Sequence, residues 1–159
     1  MTSRALIAIG ANLPGPGGLD PIETCRQAAT RLNDLPLDLP GTCLIGLSRW
    51  FATAPVPPSG QPPYINAVAL IRFPTSDPAT LLVSLQTIET AFGRHRGVAN
   101  AARTLDLDLI AVWGPDGPVI SDHPNVTLPH PRAHLRAFVL APINDVAPDW
   151  RHPLLNRTA

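Results

Sequence analysis

The chain has 159 residues, with 12 basic and 12 acidic side chains and a formal net charge of zero at pH 7. A neutral chain offers no general electrostatic attraction for nucleic acid or an acidic membrane, and we expect neither as a partner. The length suits one hydrophobic core, which predicts a single domain over residues 1–159. The 20 prolines are spread between periodic apolar segments, which predicts loops in a folded domain rather than disorder.

The cysteine and arginine content narrows the chemistry further. Cys25 and Cys43 are the only cysteines, and they have neither metal-ligand spacing nor the number needed for a disulfide framework. No apolar run is long enough for a signal-peptide core or a membrane span, so we expect a cytoplasmic protein. All 12 of the basic Lys and Arg side chains are arginine, so the chain contains no lysine. Phosphate contacts would therefore come from arginine, histidine, hydroxyls or backbone, and arginine suits bidentate recognition.

The first predicted elements are a strand and a helix. Residues 5–9 form a continuous apolar run that predicts a buried strand. The glycine-rich segment 14–18 follows, but it lacks the Gly-Lys-Ser/Thr ending of a phosphate loop. Asp20-Pro21 predicts the start of a helix. The apolar face of that helix is marked by Ile22, Cys25, Ala29 and Leu32.

Two strands and a second helix are predicted next. Residues 43–51 and 64–73 predict the strands, with a proline-rich loop between them. Tyr64 and Asn66 share one face of the later strand. Asn66 is either a strand-end residue satisfied by the loop or part of a pair that binds a flat ring. A second helix beginning at Asp77-Pro78 is indicated by Leu81, Leu85, Ile88 and Phe92.

Residues 94–103 form a basic segment without apolar periodicity. Arg94, Arg96 and Arg103 are set among small residues, and the segment leads directly into the next strand. A solvated basic loop and a clamp on phosphate groups are both open interpretations.

The strand that follows carries the most informative pattern, because acidic and apolar residues alternate in it. Asp106 and Asp108 share one face, whereas Leu105, Leu107 and Leu109 share the other. The carboxylates would lie less than about 7 Å apart on a strand that rises about 3.3 Å per residue. Such charges repel unless a positive group lies between them. A Mg²⁺ ion shared with phosphate would meet that need, and a half-exposed edge strand with solvated aspartates is the alternative.

The order βαββαβ predicts an α+β fold, with a ferredoxin-like antiparallel sheet, helices packed on it and an additional C-terminal segment. His130, Arg136 and Phe138 lie in that segment. Each alone is more typical of a core or surface residue than of a ligand contact. Together with the aspartates, the arginine segment and the Tyr64/Asn66 pair, they would suit a metal ion, a polyphosphate and a flat polar ring.

The sequence also resembles the 6-hydroxymethyl-7,8-dihydropterin pyrophosphokinases of folate biosynthesis over nearly its whole length. The run Arg103-Thr104-Leu105-Asp106-Leu107-Asp108 is highly characteristic of that family. Other matching runs are Ile9-Gly10-Ala11-Asn12-Leu13, Ser48-Arg49-Trp50-Phe51-Ala52-Thr53, Gln61-Pro62-Pro63-Tyr64-Ile65-Asn66, Leu128-Pro129-His130-Pro131-Arg132 and Arg136-Ala137-Phe138-Val139-Leu140. The resemblance implies an ATP-dependent diphosphotransferase that transfers diphosphate to the hydroxymethyl group of the pterin and releases AMP.

Carried over residue by residue, the resemblance implies roles for individual side chains. Asp106 and Asp108 would ligate two Mg²⁺ ions and, with Arg94, Arg96 and Arg103 closing over the triphosphate, would form the catalytic group. The pterin would be bound by Thr53, Val56, Tyr64, Asn66 and Phe138. ATP, as co-substrate, would contact Gln86, Glu89, Arg96, Arg103, Leu109, Thr127, His130 and Arg136.

The chain departs from the family pattern at a few positions. Ala101-Ala102 stands where the family often has Gly-Pro, the loop lacks a tryptophan, and Asn125 stands where many members have arginine. Two alternatives are another Mg²⁺-dependent nucleotidyltransferase on a ferredoxin-like palm and a non-catalytic ferredoxin-like ligand-binding module. Neither accounts for Tyr64, Asn66 and Phe138 together with the arginine segment. We expect a monomer whose partners are the small molecules ATP and 6-hydroxymethyl-7,8-dihydropterin.

Overall fold

A computed structural model describes residues 2–33, 35, 39–55, 57–93 and 104–159. These residues form a mixed α/β fold with an antiparallel sheet and three α-helices, in agreement with the predicted α+β class. The helices are α1 (Pro21–Leu32), α2 (Pro78–Ala91) and α3 (Ala137–Val146), and two short 3-10 helices span Pro16–Gly18 and Ala133–Leu135. The strands are β1 (Ser3–Ala11), β2 (Cys43–Leu47), β3 (Phe51–Thr53), β4 (Tyr64–Phe73), β5 (Asp106–Gly114), β6 (Gly117–Pro118), β7 (Ser121–His123) and β8 (Val126–Leu128).

The main sheet has the strand order β2-β4-β1-β5-β6, and β3 also pairs with β4. Every pairing along this order is antiparallel. Strands β7 and β8 form a separate hairpin. Strands β1 and β4 therefore lie in the middle of the main sheet, beside β5.

The predicted strand over residues 43–51 is two strands, β2 and β3, in the structure. The break lies at Ser48, whose Oγ accepts a hydrogen bond from the N–H of Val68. The next residue, Arg49, turns toward α3 and bonds Asp145. Both contacts depend on distant segments, so the local apolar pattern could not indicate them.

The two helix starts predicted at Asp-Pro pairs are confirmed, with different capping. The Asp77 carboxylate accepts the N–H of Ala79, as an N-cap residue does. Asp20 occupies the N-cap position of α1 without a side-chain hydrogen bond to the helix. Proline at the first helical position lacks the N–H that would otherwise need a partner, which favours both starts.

The central strands separate two hydrophobic clusters. Ile7, Leu107 and Leu85 belong to the cluster that contains the apolar side chains of α1 and α2. Leu6 and Ile143 belong to a second cluster, on the side of α3. Because adjacent strand residues point to opposite faces, the helices α1 and α2 cover one face of the sheet and α3 covers part of the other.

The alternation predicted for β5 is confirmed, and it ends at a β-bulge. Leu107 and Leu109 are buried on the α1–α2 face, whereas Asp106 and Asp108 are half-buried on the other. Leu6 lies opposite Ala111 while Ile7 lies opposite Leu109, so Ile110 is an additional residue in β5. Bulges of this kind are common beside functional sites.

Among the described residues, no helix has the length and apolar character required to cross a membrane.

Replacing Leu107 by alanine tests how far the leucine face of β5 supports the fold. Leu107 is 3% exposed, so Leu107→Ala leaves a cavity and should lower the free energy of unfolding by about 2–5 kcal/mol. Urea denaturation followed by circular dichroism measures this change. Leu135, which is 73% exposed, provides the control: Leu135→Ala should change the same quantity by less than about 0.5 kcal/mol. Equal losses in the two variants would contradict the assignment.

Candidate functional site

A cavity of about 540 Å³ opens on the α3 side of the sheet. Its floor contains residues of the three central strands, among them Gly10, Asn66 and Asp106. One wall comes from the end of β3 and the proline-rich loop after it, and the other comes from the start of α3. The volume is in the range of small-molecule binding sites.

The cavity floor has a polar group at each end and a glycine between them. Gly10 lies opposite Asn66 on β4 and opposite Asp106 on β5. Neighbouring strands lie about 4.8 Å apart, so the backbones of Asn66 and Asp106 are separated by about 10 Å. In the adjacent row Ala8 lies between Val68 and Asp108. Small residues in the middle strand thus leave open space between an amide and two carboxylates.

Asn66 is held by the neighbouring strand. It is 8% exposed, and its Nδ2 donates a hydrogen bond to Thr53 Oγ1 at the end of β3. A Cβ added at Gly10 would lie 3.1 Å from Asn66 Oδ1, so the amide oxygen lies directly beside the glycine. Asn66 is therefore satisfied in part by a strand-end partner, as one interpretation of the sequence expected. Asn66 also lines the cavity, as the interpretation of a ring-binding pair required.

The proline-rich loop is attached to the end of β1 by Asn12. Asn12 Nδ2 donates to Gln61 Oε1 at 3.0 Å and to the carbonyl oxygen of Pro62 at 3.3 Å. Gln61 and Pro55, from the two ends of this loop, both line the cavity. The buried Asn12 side chain thus determines where the loop wall stands relative to the floor.

The opposite wall is formed at the start of α3. Phe138 and Val139 line the cavity from the first turn, and Arg136 lines it from the position just before the helix. The Arg136 guanidinium lies 5.6 Å from the centre of the Phe138 ring, within the range of a cation–π contact. An arginine and an aromatic face are therefore presented side by side.

A buried glutamate on α2 forms a hydrogen bond with the backbone of the strand that carries the two aspartates. Glu89 on α2 is 2% exposed, and its Oε2 accepts the backbone N–H of Leu107 at 3.0 Å. Leu107 lies between Asp106 and Asp108, so this bond holds the backbone that carries both of them. A charged acceptor makes a stronger hydrogen bond than a neutral one.

Asp106 and Asp108 have oxygen donors of the kind that Mg²⁺ prefers. Within the part of the chain that the structure describes, no group of three or more His, Cys, Asp or Glu side chains is arranged to hold a metal. Asp106 and Asp108 nevertheless line the same cavity. Mg²⁺ is typically bound by one or two carboxylates together with phosphate oxygens and water, so these two residues fit that ion.

His130 lies near the same strand and is a neutral hydrogen-bond donor. Its backbone N–H bonds the carbonyl of Ile110 at the bulge of β5, and its Nδ1 accepts the N–H of Arg132 at 3.1 Å. Burial and the charges of Arg136 and Arg132 lower the pKa of His130 below 6.5, against the opposing effect of Asp106. The ring is therefore neutral at pH 7 and carries its proton on Nε2.

The structure brings together some of the residues predicted for the site. Thr53, Tyr64, Asn66, Asp106, Asp108, Arg136 and Phe138 all line the cavity. Gln86, Glu89, Leu109, Thr127 and His130 lie outside its lining, on α2, β5, β8 and the segment after β8. Val56, Arg94, Arg96 and Arg103 lie outside the described residues, as do Ala101 and Ala102.

Sequence reasoning missed the glycine of the floor, the asparagine that attaches the loop and Gln61 in the wall. A glycine at the end of a strand-like run, such as Gly10 after residues 5–9, is a sequence sign of close approach by a ligand or by another backbone. No comparable local sign exists for Asn12 or Gln61, because they meet only when the loop folds over β1.

Residues 6–148 match the family model described as 7,8-dihydro-6-hydroxymethylpterin-pyrophosphokinase (HPPK). The chain belongs to this family. The resemblance found in the sequence is thereby confirmed, and the matched residues include every residue that lines the cavity.

Individual relatives carry the corresponding name, 2-amino-4-hydroxy-6-hydroxymethyldihydropteridine pyrophosphokinase. The one from Pseudomonas aeruginosa is 36% identical over 153 residues, which cover 96% of this chain and 86% of the relative. The one from Haemophilus influenzae is 35% identical over 145 residues, covering 91% and 82%. The one from Mycobacterium leprae is 36% identical over 146 residues, covering 88% and 70%.

The titration of His130 tests the electrostatics of the site. Folding lowers its pKa, so its contribution to stability is present above about pH 6.5 and is lost as the pH falls through the folded-state pKa. An NMR titration of its ring signals should give a pKa below 6.5. Arg136→Ala should raise that pKa, and Asp106→Asn should lower it further. Arg4→Ala, which removes an exposed arginine at the start of β1, should leave it unchanged. A pKa at or above 6.5 in the wild-type protein would contradict the assignment.

Proposed function

We propose that this protein transfers diphosphate from ATP to the hydroxymethyl group of 6-hydroxymethyl-7,8-dihydropterin and releases AMP, as a pyrophosphokinase of folate biosynthesis. The observation that carries the proposal is the row of Asn66, Gly10 and Asp106 across one cavity floor, in a chain of this family. The amide at one end can form hydrogen bonds with the polar edge of a ring. The carboxylate at the other end can bind a cation that also binds phosphate.

The pterin would lie at the Asn66 end of the floor. The Asn66 amide can accept from ring N–H groups through Oδ1 and can donate through the Nδ2 hydrogen not given to Thr53. Tyr64 and Phe138 would flank the ring faces, which their positions on the floor and on the α3 wall support. Val56 would complete the slot. The hydroxymethyl group would then point over Gly10 toward Asp106.

The metal and phosphate groups would lie at the other end. We propose that Asp106 and Asp108 hold two Mg²⁺ ions, which would neutralise phosphate charge and lower the pKa of the attacking alcohol. Glu89 would hold the backbone of these ligands in place through Leu107. Phosphoryl transfer depends mainly on positioning and on neutralising charge, and carboxylates held in place in this way would serve both needs.

ATP would be bound beside β5. Gln86, Leu109 and Thr127 lie on α2, β5 and β8, which pack against one another, and Glu89 lies on the same helix as Gln86. The neutral Nε2–H of His130 can donate to a phosphate oxygen, and Arg136 can pair with phosphate from the cavity wall. We propose that Arg94, Arg96 and Arg103 close over the triphosphate and exclude water.

The transfer step needs no protein nucleophile. The hydroxymethyl oxygen bonds the β-phosphorus as the bond between that phosphorus and the oxygen bridging to the α-phosphorus breaks. AMP leaves with that bridging oxygen, and the alcohol proton is released. The residues of the floor supply orientation, because they hold the ring at one end and the phosphates at the other.

We also propose that the core is ferredoxin-like and forms a single domain over residues 1–159. The proposal is supported by the alternation of β1, α1, β2, β4, α2 and β5 along the chain and by the antiparallel sheet order β2-β4-β1-β5. We retain the expectation of a cytoplasmic monomer. The expectation that neither nucleic acid nor a membrane is a partner rests on the zero net charge.

Removing either carboxylate tests the metal assignment. Asp106→Asn and Asp108→Asn should each lower Mg²⁺-dependent AMP formation by at least about a hundredfold, because a carboxylate that holds the ions neutralising the phosphate charge is lost. Chromatography of reactions with ATP, Mg²⁺ and 6-hydroxymethyl-7,8-dihydropterin measures the product. Asp116→Asn, an exposed change in the turn after β5, should have no effect. Full activity in both site variants would refute the assignment, and release of pyrophosphate instead of AMP would indicate a nucleotidyltransferase.

Filling the floor at Gly10 tests where the pterin lies. Gly10→Ala should lower kcat/KM for the dihydropterin at least about tenfold, because the added methyl group occupies the floor and crowds Asn66. The free energy of unfolding should change by no more than about 1 kcal/mol, because the lower flexibility of alanine in the unfolded chain opposes the cost of displacing the Asn66 amide by a few tenths of an ångström.

Gly46→Ala is the matched control for this prediction. A Cβ at Gly46 would meet Val146 and Leu70 at ordinary contact distances, and Gly46 lies outside the cavity lining. Steady-state kinetics and urea denaturation of the two variants separate binding from stability. Unchanged kinetics in Gly10→Ala would show that the ligand does not cross β1 there.

A further inference from the structure

One aspartate near the end of α3 binds both the side chain and the backbone of Arg49, in the connection between β2 and β3. Asp145 Oδ2 accepts hydrogen bonds from the backbone N–H and from Nε of Arg49, and Asp145 Oδ1 accepts one from Nη2. Each of these three donor–acceptor distances is 3.0 Å. A bidentate contact with an added backbone bond defines the relative position of two segments far more narrowly than one charge pair does.

The pair is exposed, so its contribution to global stability should be small. The Arg49 side chain is 78% exposed, and ion pairs at such positions typically add little to the free energy of unfolding. The role of the Arg49–Asp145 pair therefore depends on the two elements that it holds in position. Neither residue lines the cavity, but each is attached to one of its walls.

On the Arg49 side, the attached element is β3. Phe51 starts this strand and lies opposite Asn66, and the Arg49 guanidinium is 5.4 Å from the centre of the Phe51 ring. Two residues further, Thr53 receives the hydrogen bond from Asn66. A shift of Arg49 would therefore displace β3 and, through Thr53, the Asn66 amide at the cavity floor.

On the Asp145 side, the attached element is α3. Phe138 is seven residues before Asp145, two helical turns away, and so lies on the same side of the helix. Val139 and Ile143 pack α3 onto the sheet. Those apolar contacts press the helix against the sheet but are non-directional. The directional bonds from Asp145 to Arg49 limit rotation of the helix about its own axis.

Pro142 makes this attachment more necessary. Proline has no N–H, so the carbonyl of Phe138, four residues earlier, lacks its usual helical hydrogen bond. The ten-residue helix α3 is thus weakened internally at the residue whose ring forms the cavity wall. An external attachment at the far end of the helix can compensate for that weakness.

We propose that the Arg49–Asp145 pair is a positioning element that sets the width of the pterin slot, between Phe138 on α3 and Asn66 with Thr53 on the sheet. The inference rests on the proposed function, because it assigns that slot to the dihydropterin. Loss of the pair should loosen the slot more than the ATP-binding side, since β3 pairs with β4 and is separated from β5 by β4 and β1.

The test compares variants of the pair with a matched variant of another exposed ion pair. Arg49→Ala and Asp145→Asn should each raise KM for the dihydropterin at least about threefold, and the double variant should be no worse than either single one. KM for ATP should change less than KM for the dihydropterin. Arg49→Lys, which keeps the charge but loses the bidentate contact, should lie between wild type and Arg49→Ala.

Arg26→Ala is the control. Arg26 pairs with Glu23 at 3.8 Å on the surface of α1, away from the cavity lining, and its loss should leave both KM values unchanged. Thermal melting of all variants reports stability. Unchanged dihydropterin KM in Arg49→Ala would overturn the inference. Equal rises in both KM values together with a lower Tm would also overturn it, because the pair would then be merely structural.

Failure of the proposed function gives a different result. If the wild-type protein releases no AMP from ATP and dihydropterin, the proposed function is wrong. The positioning inference is then decided by amide hydrogen exchange over residues 51–53 of the full chain. Faster exchange there in Arg49→Ala, with Arg26→Ala like wild type, would support it, and unchanged exchange would overturn it.

Discussion

The cavity depends on one constraint, which is that three central strands present different chemistry on their two faces. The face toward α1 and α2 must be apolar, because it is buried in the larger core. The other face is only partly covered by α3, so polar and small residues can occupy its open end. The side-chain period of two allows adjacent residues such as Leu107 and Asp108 to meet both requirements. A shift of one residue in register would bury the aspartates and remove the cavity floor.

Several contacts protect that register. Glu89 bonds the backbone between the two aspartates from the helix side, and a buried carboxylate left without this donor would be costly. The bulge at Ile110 shifts the pairing of β5 with β1 by one residue, but only in the part of β5 that follows the aspartates. The same residue accepts the N–H of His130, which brings the segment after β8 to the site. Stability of the sheet and geometry of the site therefore rest on the same bonds.

The walls are attached by polar contacts between distant parts of the chain. Asn12 holds the proline-rich loop, Asn66 holds the end of β3, and Asp145 holds the connection before β3. Apolar packing alone positions α3 less narrowly, since it has no preferred direction. A floor on rigid strands with walls held by directional bonds is well suited to a reaction in which positioning provides much of the rate enhancement.

The sequence by itself determined the α+β class, both longer helices, the alternation in β5 and the family, because each depends on local periodicity or on a contiguous run such as residues 103–108. It also indicated Tyr64, Asn66 and Phe138 as a group. Only the tertiary structure decided that β2 and β3 are separate, that α3 is a helix despite Pro142, and that Gly10 lies between Asn66 and Asp106. These features depend on strand pairing and on contacts across 50 to 96 residues of sequence, such as those of Asn12 with Pro62 and of Arg49 with Asp145. No local pattern encodes such contacts, because they form only when distant segments meet.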